Sequence, residues 1–439
     1  MPMIQTIDQR GMRPGLAELL ATIPRAATDV SVASEVAAEL IADVRARGEL
    51  ALLDQAERLD RVRPASVRVP AADIEQAVAE LDPAVREAIE ETIRRVRAAS
   101  AAQVPPTVTT TLADGGEITQ RWQPVARVGL YVPGGKAVYP SSVVMNVVPA
   151  QVAGVRSIAL ASPAQHQFGG RVHPTILAVA GLLGIEEIYA MGGAGAVGAF
   201  AYGVPGIGLE PVQLITGPGN VYVAAAKRLV RGVTGIDAEA GPTDILVIAD
   251  ESADPDLVAA DLVSQAEHDE LAAAVLVTPS APLAAAVEAR LGERAASTTH
   301  SARVTAALGG NQSAIVLVDD LEQAAAFSNA FGPEHLEIQT ESADAVLAMI
   351  ENAGAIFLGP HSPVSLGDYS AGSNHVLPTG GQARFSSGLG AYTFLRPQQV
   401  VHYSREALRE VAGNIDVLST AEALPAHGDA VKARFADQG

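Results

Sequence analysis

Asp244-Ile245-Leu246-Val247-Ile248-Ala249-Asp250 is a strand-like apolar run, and Asp254-Pro255-Asp256 close behind it is a helix start. Asp accepts from the first free N–H groups of a helix, and Pro suits the first helical position. The helix runs on through Asp261-Leu262-Val263-Ser264-Gln265-Ala266-Glu267-His268. At about 100° per residue, Leu257, Val258, Asp261, Gln265 and His268 share one narrow sector. Hydrogen-bonding and metal-capable groups thus sit inside an apolar stripe, where burial is costly unless something satisfies them. One such His is ordinarily a satisfied core residue. Three polar groups on one face point to a ligand or metal site.

Outward from that unit the same texture repeats. Downstream, 273–278, 314–318 and 354–358 read as strands, with helices near 282–291 and 321–330. Upstream, strands over 126–132, 156–161 and 187–191 alternate with helices starting near Pro140 and spanning 174–183. This alternation predicts an α/β fold with parallel sheets and covering helices. Three Gly-rich turns close strands in the upstream run, where open α/β sheets bind ligands. Tyr131-Val132-Pro133-Gly134-Gly135-Lys136 fails the Walker A spacing, and Ala137 replaces the hydroxyl residue. Gly193-Ala194-Gly195-Ala196-Val197-Gly198 matches G-x-G-x-x-G. No acidic residue follows about 20 positions on at a strand end, so the dinucleotide fingerprint is incomplete. A tight turn with close helix packing explains that spacing equally well. Gly217-Pro218-Gly219-Asn220 precedes a helix over 221–230 and would leave N-terminal N–H groups for an anion such as pyrophosphate.

The flanks carry less chemistry. Residues 1–25 read as a short arm, and 34–48 and 82–103 as Ala-rich amphipathic helices. Thr107–Leu112 and 118–122 flank Ala113-Asp114-Gly115-Gly116, a hairpin signature. The Gly/Ser-rich stretch 365–387, with Asp368 and His375, is embedded between structured runs and reads as a functional loop. From 391 a helical tail carries Glu422 and His427.

At 439 residues the chain exceeds one ordinary domain. Thirty Lys and Arg against 50 Asp and Glu give a net charge of −20, without the basic footprint that nucleic acid requires. The absence of cysteine excludes disulfides, thiolate metal sites and a Cys nucleophile. The most apolar stretch, 143–161, is broken by Asn146, Pro149, Gln151 and Arg156, and the N-terminus has no apolar signal core. The expectation is a soluble cytoplasmic protein with no nucleic-acid or membrane partner.

Gly332-Pro333-Glu334-His335 sets a carboxylate beside an imidazole, a pair able to place water and move protons, though Glu-His also occurs on ordinary surfaces. Gln265, His268, an Asp and a second His would make a zinc site of oxygen and nitrogen ligands. Spacing alone chooses neither between Asp368 and Asp261 nor between His427 and His375.

The motifs 264–268 and 332–336, Gly367-Asp368-Tyr369 with 374–379, Gly217-Pro218-Gly219-Asn220 and Ala240-Gly241-Pro242-Thr243 together resemble the histidinol dehydrogenases, in actinobacterial style, in order from Arg121 to His427. The resemblance implies two NAD-linked oxidations, L-histidinol through L-histidinal to L-histidine, the last step of histidine biosynthesis. It implies a homodimer with one Zn²⁺ per subunit and two incomplete Rossmann-like, doubly wound domains. The implied division is an arm at 1–27, a larger domain at 28–129 plus 241–389, an NAD domain at 130–240, and a tail at 390–439 that reaches the other subunit. By the same resemblance the zinc ligands are Gln265, His268, Asp368 and His427. Substrate contacts are Thr243, Gln265, His268, His335, Asp368, Glu422 and His427. Glu334 and His335 are the catalytic pair, and Tyr131, Asn220 and Gly195 are the NAD contacts. Asp261 then leaves the ligand set and needs a backbone partner or a bond to His268. Where the family usually has Gln, this chain has Gly195, so NAD binding should weaken by about 1 kcal/mol. Restoring Gln should recover it, and Lys136 is placed to compensate by charge.

Without a thiol, alcohol-to-acid oxidation needs aldehyde hydration. His335 would take the alcohol proton and Glu334 would activate water. Two rivals keep the metal: a dehydrogenase of another small alcohol such as sulfopropanediol, and a zinc hydrolase. A third is a non-catalytic metal-binding scaffold, against which the matched catalytic pair counts. Glu334 and Glu422 favour a cationic, imidazole-bearing substrate over a sulfonate, which would need Arg or Lys. The Gly-rich strand ends count against the hydrolase.

Overall fold

A computed structural model describes residues 3–25, 30–134, 138–239 and 241–436. The Gly135 to Ala137 part of the first Gly-rich turn, Lys136 included, lies outside them, as does Ala240.

Two parallel sheets organise the molecule. In chain order, the five strands of one are Arg127–Tyr131, Ser157–Ser162, Ile188–Ala190, Leu214–Thr216 and Gly235–Ile236, and their spatial order is third, second, first, fourth, fifth. The strands Asp244–Ala249, Ala273–Thr278, Ala314–Leu317, His335–Gln339 and Ala355–Leu358 repeat that order in the second sheet. This is the doubly wound pattern cut one strand short, with a switch point between first and fourth strands. Both sheets are covered on two faces, so their strands are continuous Val/Ile/Leu/Ala runs. Asp244–Ala249 is buried at every position.

The N-terminal segment is built into this second sheet. Gln5–Asp8 pairs in parallel with Ala314–Leu317 and makes it six-stranded. The helices Val30–Arg47, Glu49–Leu59, Ala71–Glu80 and Pro83–Ala102 pack on helices of the five-stranded sheet. Asp82 caps the last of them, accepting from the N–H groups of Ala84 and Val85. The hairpin Val108–Ala113/Gly116–Pro124 forms, and it gains an antiparallel third strand, Leu395–Tyr403, where a helical tail was expected from 391. The remaining tail is helical, Arg405–Ala421 and Pro425–Lys432. Among the described residues no helix is long and apolar enough to cross a membrane.

The two sheets use opposite ends. Tyr131 ends its strand and the Gly217 turn follows its own, so both lie at carboxyl ends. Thr243 and Glu334 immediately precede Asp244–Ala249 and His335–Gln339, at amino ends. At the carboxyl ends of the six-stranded sheet, the first and fourth strands are linked through Asp250. Asp250 accepts from Ser252 N–H at 3.0 Å and from Glu341 N–H at 3.0 Å.

Candidate active site

The site grows from the strand Asp244–Ala249 and its neighbour His335–Gln339. Helix Leu321–Phe331 ends at Gly332 with φ 59°, a left-handed turn that Gly adopts without strain and that leads into Pro333-Glu334-His335. Glu334 N–H donates to the Asp244 carboxylate at 2.7 Å, and His335 Nδ1 donates to the Asp244 carbonyl at 2.9 Å. That carbonyl can only accept, so Nδ1 carries a proton, and in the neutral tautomer Nε2 is the acceptor nitrogen. Nε2 is buried and has no partner. Glu334 Oε2 accepts from Thr243 Oγ1 at 2.5 Å and from Asp244 N–H at 3.1 Å, leaving Oε1 free of protein donors among the described residues. Burial pushes the Glu334 carboxyl up to about 7, with Asp368 adding to the rise, while the Thr243 and Asp244 bonds and the nearby His268 oppose it. A carboxyl poised there can serve as a base near neutral pH.

Thr243 Oγ1 in turn accepts from Gln265 Nε2 at 2.6 Å, which fixes the amide with Oε1 outward. That Oε1 is buried and unpartnered. His268 differs from the expectation. Helix Pro255–Ala266 ends before it, so it leaves the buried stripe and is exposed, as is Leu257. Its Nδ1 bonds the Ser264 carbonyl at 3.2 Å, which turns Nε2 away from the helix. An orphaned amide oxygen, an imidazole with a free Nε2 and the nearby Asp368 carboxylate form an oxygen–nitrogen donor set that suits zinc. Among the described residues no group of three or more His, Asp or Glu stands close enough to hold an ion alone. Gln265, His268 and Asp368 are three donors, and a tetrahedral zinc site takes a fourth ligand.

His375 does not supply it. Its Nδ1 bonds the Asp368 carbonyl at 3.0 Å and its Nε2 faces Ser142 Oγ at 3.0 Å, so both ring nitrogens are engaged. Through Ser142, at the start of helix Pro140–Val152, it joins the amino ends of one sheet to the carboxyl ends of the other. Glu422 and His427 are exposed on the tail, with no hydrogen bond or ion pair to the other site residues among those described. Asp261 bonds neither backbone nor His268. It shares a hydrogen bond with Glu337 and accepts from Gln339 Nε2 at 3.1 Å, and burial pushes Glu337 up to about 8. The other Glu337 oxygen accepts Val364 N–H at 3.0 Å, at the first residue of the helix Val364–Tyr369 that carries Asp368.

At the strand exits of the five-stranded sheet, groups singled out in the sequence bond within the chain. Asn220 Oδ1 caps helix Val221–Val230, taking the Tyr222 and Val223 N–H groups at 3.1 and 3.2 Å that had been expected to meet an anion. The Tyr131 hydroxyl accepts Gly193 N–H at 3.2 Å, and burial pushes its pKa up to about 12. Gly193 to Gly198 is the first part of helix Gly193–Tyr202 rather than a loop ahead of it. Its glycines serve packing: a Cβ on Gly198 would stand 3.2 Å from Ile41 Cα, and one on Gly195 would stand 2.1 Å from Gln55 Oε1. Gln55 is buried and bonded to the Leu40 carbonyl at 3.1 Å. Gly195→Gln therefore does not simply restore a contact. It should destabilise the protein by about 1–3 kcal/mol in denaturant titration, and adding Gln55→Ala should recover most of that loss. A single variant as stable as the parent would contradict the packing.

Asp244 is the functional residue that the motifs missed. It orients both Glu334 and His335, and its only sequence signal is an acid opening an otherwise apolar strand.

Comparison with known proteins bears on the whole chain. Residues 23–435 match the family model described as histidinol dehydrogenase. A histidinol dehydrogenase of Leifsonia xyli subsp. xyli is 69% identical over 435 residues, 99% of this chain and 100% of that one. That of Nocardia farcinica is 58% identical over 432 residues, 98% of this chain and 97% of the relative. The crystal structure of histidinol dehydrogenase from Elizabethkingia anophelis superposes with a TM-score of 0.93 at 31% identity, covering 99% of this chain and 98% of that one. With full-length identity and the same architecture, the chain belongs to the histidinol dehydrogenase family.

Proposed function

We propose that the protein oxidises L-histidinol through hydrated L-histidinal to L-histidine with two NAD⁺, as the last step of histidine biosynthesis in the cytoplasm. The observation that carries it is the pair of buried, unpartnered atoms, His335 Nε2 and Gln265 Oε1, flanking a Glu334 carboxyl held near neutrality. Gln265, His268 and Asp368, with His427 of a second subunit, would hold Zn²⁺, which orients the amine and imidazole of the substrate. His335 Nε2 takes the alcohol proton in the first oxidation. Glu334 Oε1 then accepts a proton from the water that adds to the aldehyde, and the hydrate is oxidised to the acid. Thr243 and Asp244 N–H hold Oε2 throughout, so the base keeps its direction. Thr243, Gln265, Asp368 and Glu422 line the substrate, and Tyr131, Asn220 and Gly195 lie along the dinucleotide.

The exposure of Glu422 and His427 on the tail supports its exchange between subunits. Helices Arg405–Ala421 and Pro425–Lys432 pack chiefly on each other and leave Val417, Leu418 and Leu424 exposed by 69, 62 and 44%. A homodimer would cover that apolar surface and bring the fourth ligand.

One assay decides among the rivals: NADH formed by zinc-loaded protein with L-histidinol. The expected result is two NADH per histidine, abolished by chelation and restored by Zn²⁺. A hydrolase would form none, and a dehydrogenase of another alcohol would turn over its own substrate and leave L-histidinol untouched.

A further inference from the structure

In a Rossmann sheet the carboxylate that accepts the adenosine ribose hydroxyls stands near the carboxyl end of the second strand. Here that strand, Ser157–Ser162, runs into Pro163-Ala164-Gln165 with no acid. An acid reaches the same place from outside the sheet. Helix Glu49–Leu59 ends at Asp60, whose Oδ2 lies 3.6 Å from the point where a Cβ on Gly192 would stand. That point is itself 2.8 Å from Pro163 Cβ. Gly192 opens helix Gly193–Tyr202 just after the third strand, and Gly193 N–H is bonded to Tyr131 at the end of the first. The Asp60 charge is also felt at the Tyr131 hydroxyl. Asp60 is thus gathered with the ends of all three strands on this side of the switch point.

Among the described residues nothing donates to the Asp60 carboxylate or pairs with it, and burial alone pushes it up to about 6. A partly buried carboxylate without protein donors is unfavourable, whereas the buried acids Asp244, Asp250, Glu334 and Glu337 each hold at least one hydrogen bond. The same helix lays Gln55 against Gly195, so both residues address the first turn of helix Gly193–Tyr202.

We propose that Asp60 accepts the 2′- and 3′-hydroxyls of the adenosine ribose and so selects a dinucleotide without a 2′-phosphate. Two hydroxyls supply the donors that the carboxylate lacks. A 2′-phosphate would bring like charge against it in a partly desolvated cleft. The inference rests on the reading that the five-stranded sheet holds NAD.

The test is steady-state kinetics of Asp60→Ser and Asp60→Asn with saturating L-histidinol, NAD⁺ and NADP⁺ each being varied. Loss of a charge-assisted pair of bonds should raise KM for NAD⁺ by about 10- to 100-fold. kcat and zinc content should stay near the parent's. The ratio of kcat/KM for NAD⁺ over that for NADP⁺ should fall by more than the KM rise alone, because repulsion is relieved at the same time. NAD⁺ binding to the parent protein is measured first by calorimetry. Its absence would sink the placement of the cofactor and Asp60's role with it. Parental NAD⁺ binding with an unchanged KM and an unchanged cofactor ratio in the folded variants would overturn the role of Asp60 alone. So would a loss confined to kcat.

Discussion

His335→Asn should lower NADH formation from L-histidinol by on the order of 10²- to 10⁴-fold, the range for a positioned proton acceptor. The change is confined to one atom's chemistry. An Asn amide can still donate to the Asp244 carbonyl that now takes His335 Nδ1–H at 2.9 Å, so the turn from Gly332 into the strand keeps its anchor. What disappears is Nε2, a basic nitrogen that is buried with no protein partner. The loss should fall on kcat, with zinc content by elemental analysis and the unfolding midpoint both close to the parent's. Turnover within about 10-fold of the parent would remove His335 as the base. Loss of zinc would instead make it a ligand.

Lys227→Met should cost about 3–5 kcal/mol, the penalty for leaving a buried charge unpaired. Lys227, 2% exposed, forms an ion pair with Asp237, whose side chain is 6% exposed, and donates to the Gly217 carbonyl at 2.9 Å. Asp237 closes the ring by accepting Gly217 N–H at 2.8 Å. Gly217 has φ 116° and lies so near Tyr131 that a Cβ would stand 2.0 Å from its carbonyl oxygen. Gly alone fits there without strain, and this ring of bonds holds it. The variant should unfold at lower denaturant concentration and bind NAD⁺ more weakly, while zinc stays bound. Adding Asp237→Asn removes the orphaned charge and keeps an acceptor for Gly217 N–H, so the double variant should regain more than half of the loss. A single variant within about 1 kcal/mol of the parent would show that the pair is not a determinant of the loop.

Local features of the fold were legible because their causes are local. Asp82-Pro83 and Asp254-Pro255 announce helix starts by chemistry contained in a few residues, and the structure caps both helices that way. The antiparallel pairing of Leu395–Tyr403 with Gly116–Pro124 has no such cause, because its partners lie far apart in the chain. The site divides along the same line. Gln265 stood out as an amide in an apolar stripe, and burial with an orphaned Oε1 is what that pattern implies. His268 was misplaced because a helical wheel assumes that the helix continues, and this one stops at Ala266. Glu334 and His335 were visible as neighbours. Their orientation by Asp244 and Thr243 comes from an adjacent strand some 90 residues away and leaves no period to detect.

The head-on meeting of the two sheets has a consequence for how such a protein can change. One topology is used twice, but one copy works from its strand exits and the other from its strand entrances. At the exits of the second copy, Asp250 ties the first and fourth strands together. On the proposed reading, electron acceptor and reacting alcohol are served by separate frameworks, joined by contacts such as Ser142 to His375 and Asn374 to the Met145 carbonyl. Substitutions retuning one end and substitutions retuning the other should combine with nearly independent free energies. On that reading the molecule couples two halves of one topology with different tasks, in which coenzyme preference and alcohol preference can drift on separate clocks.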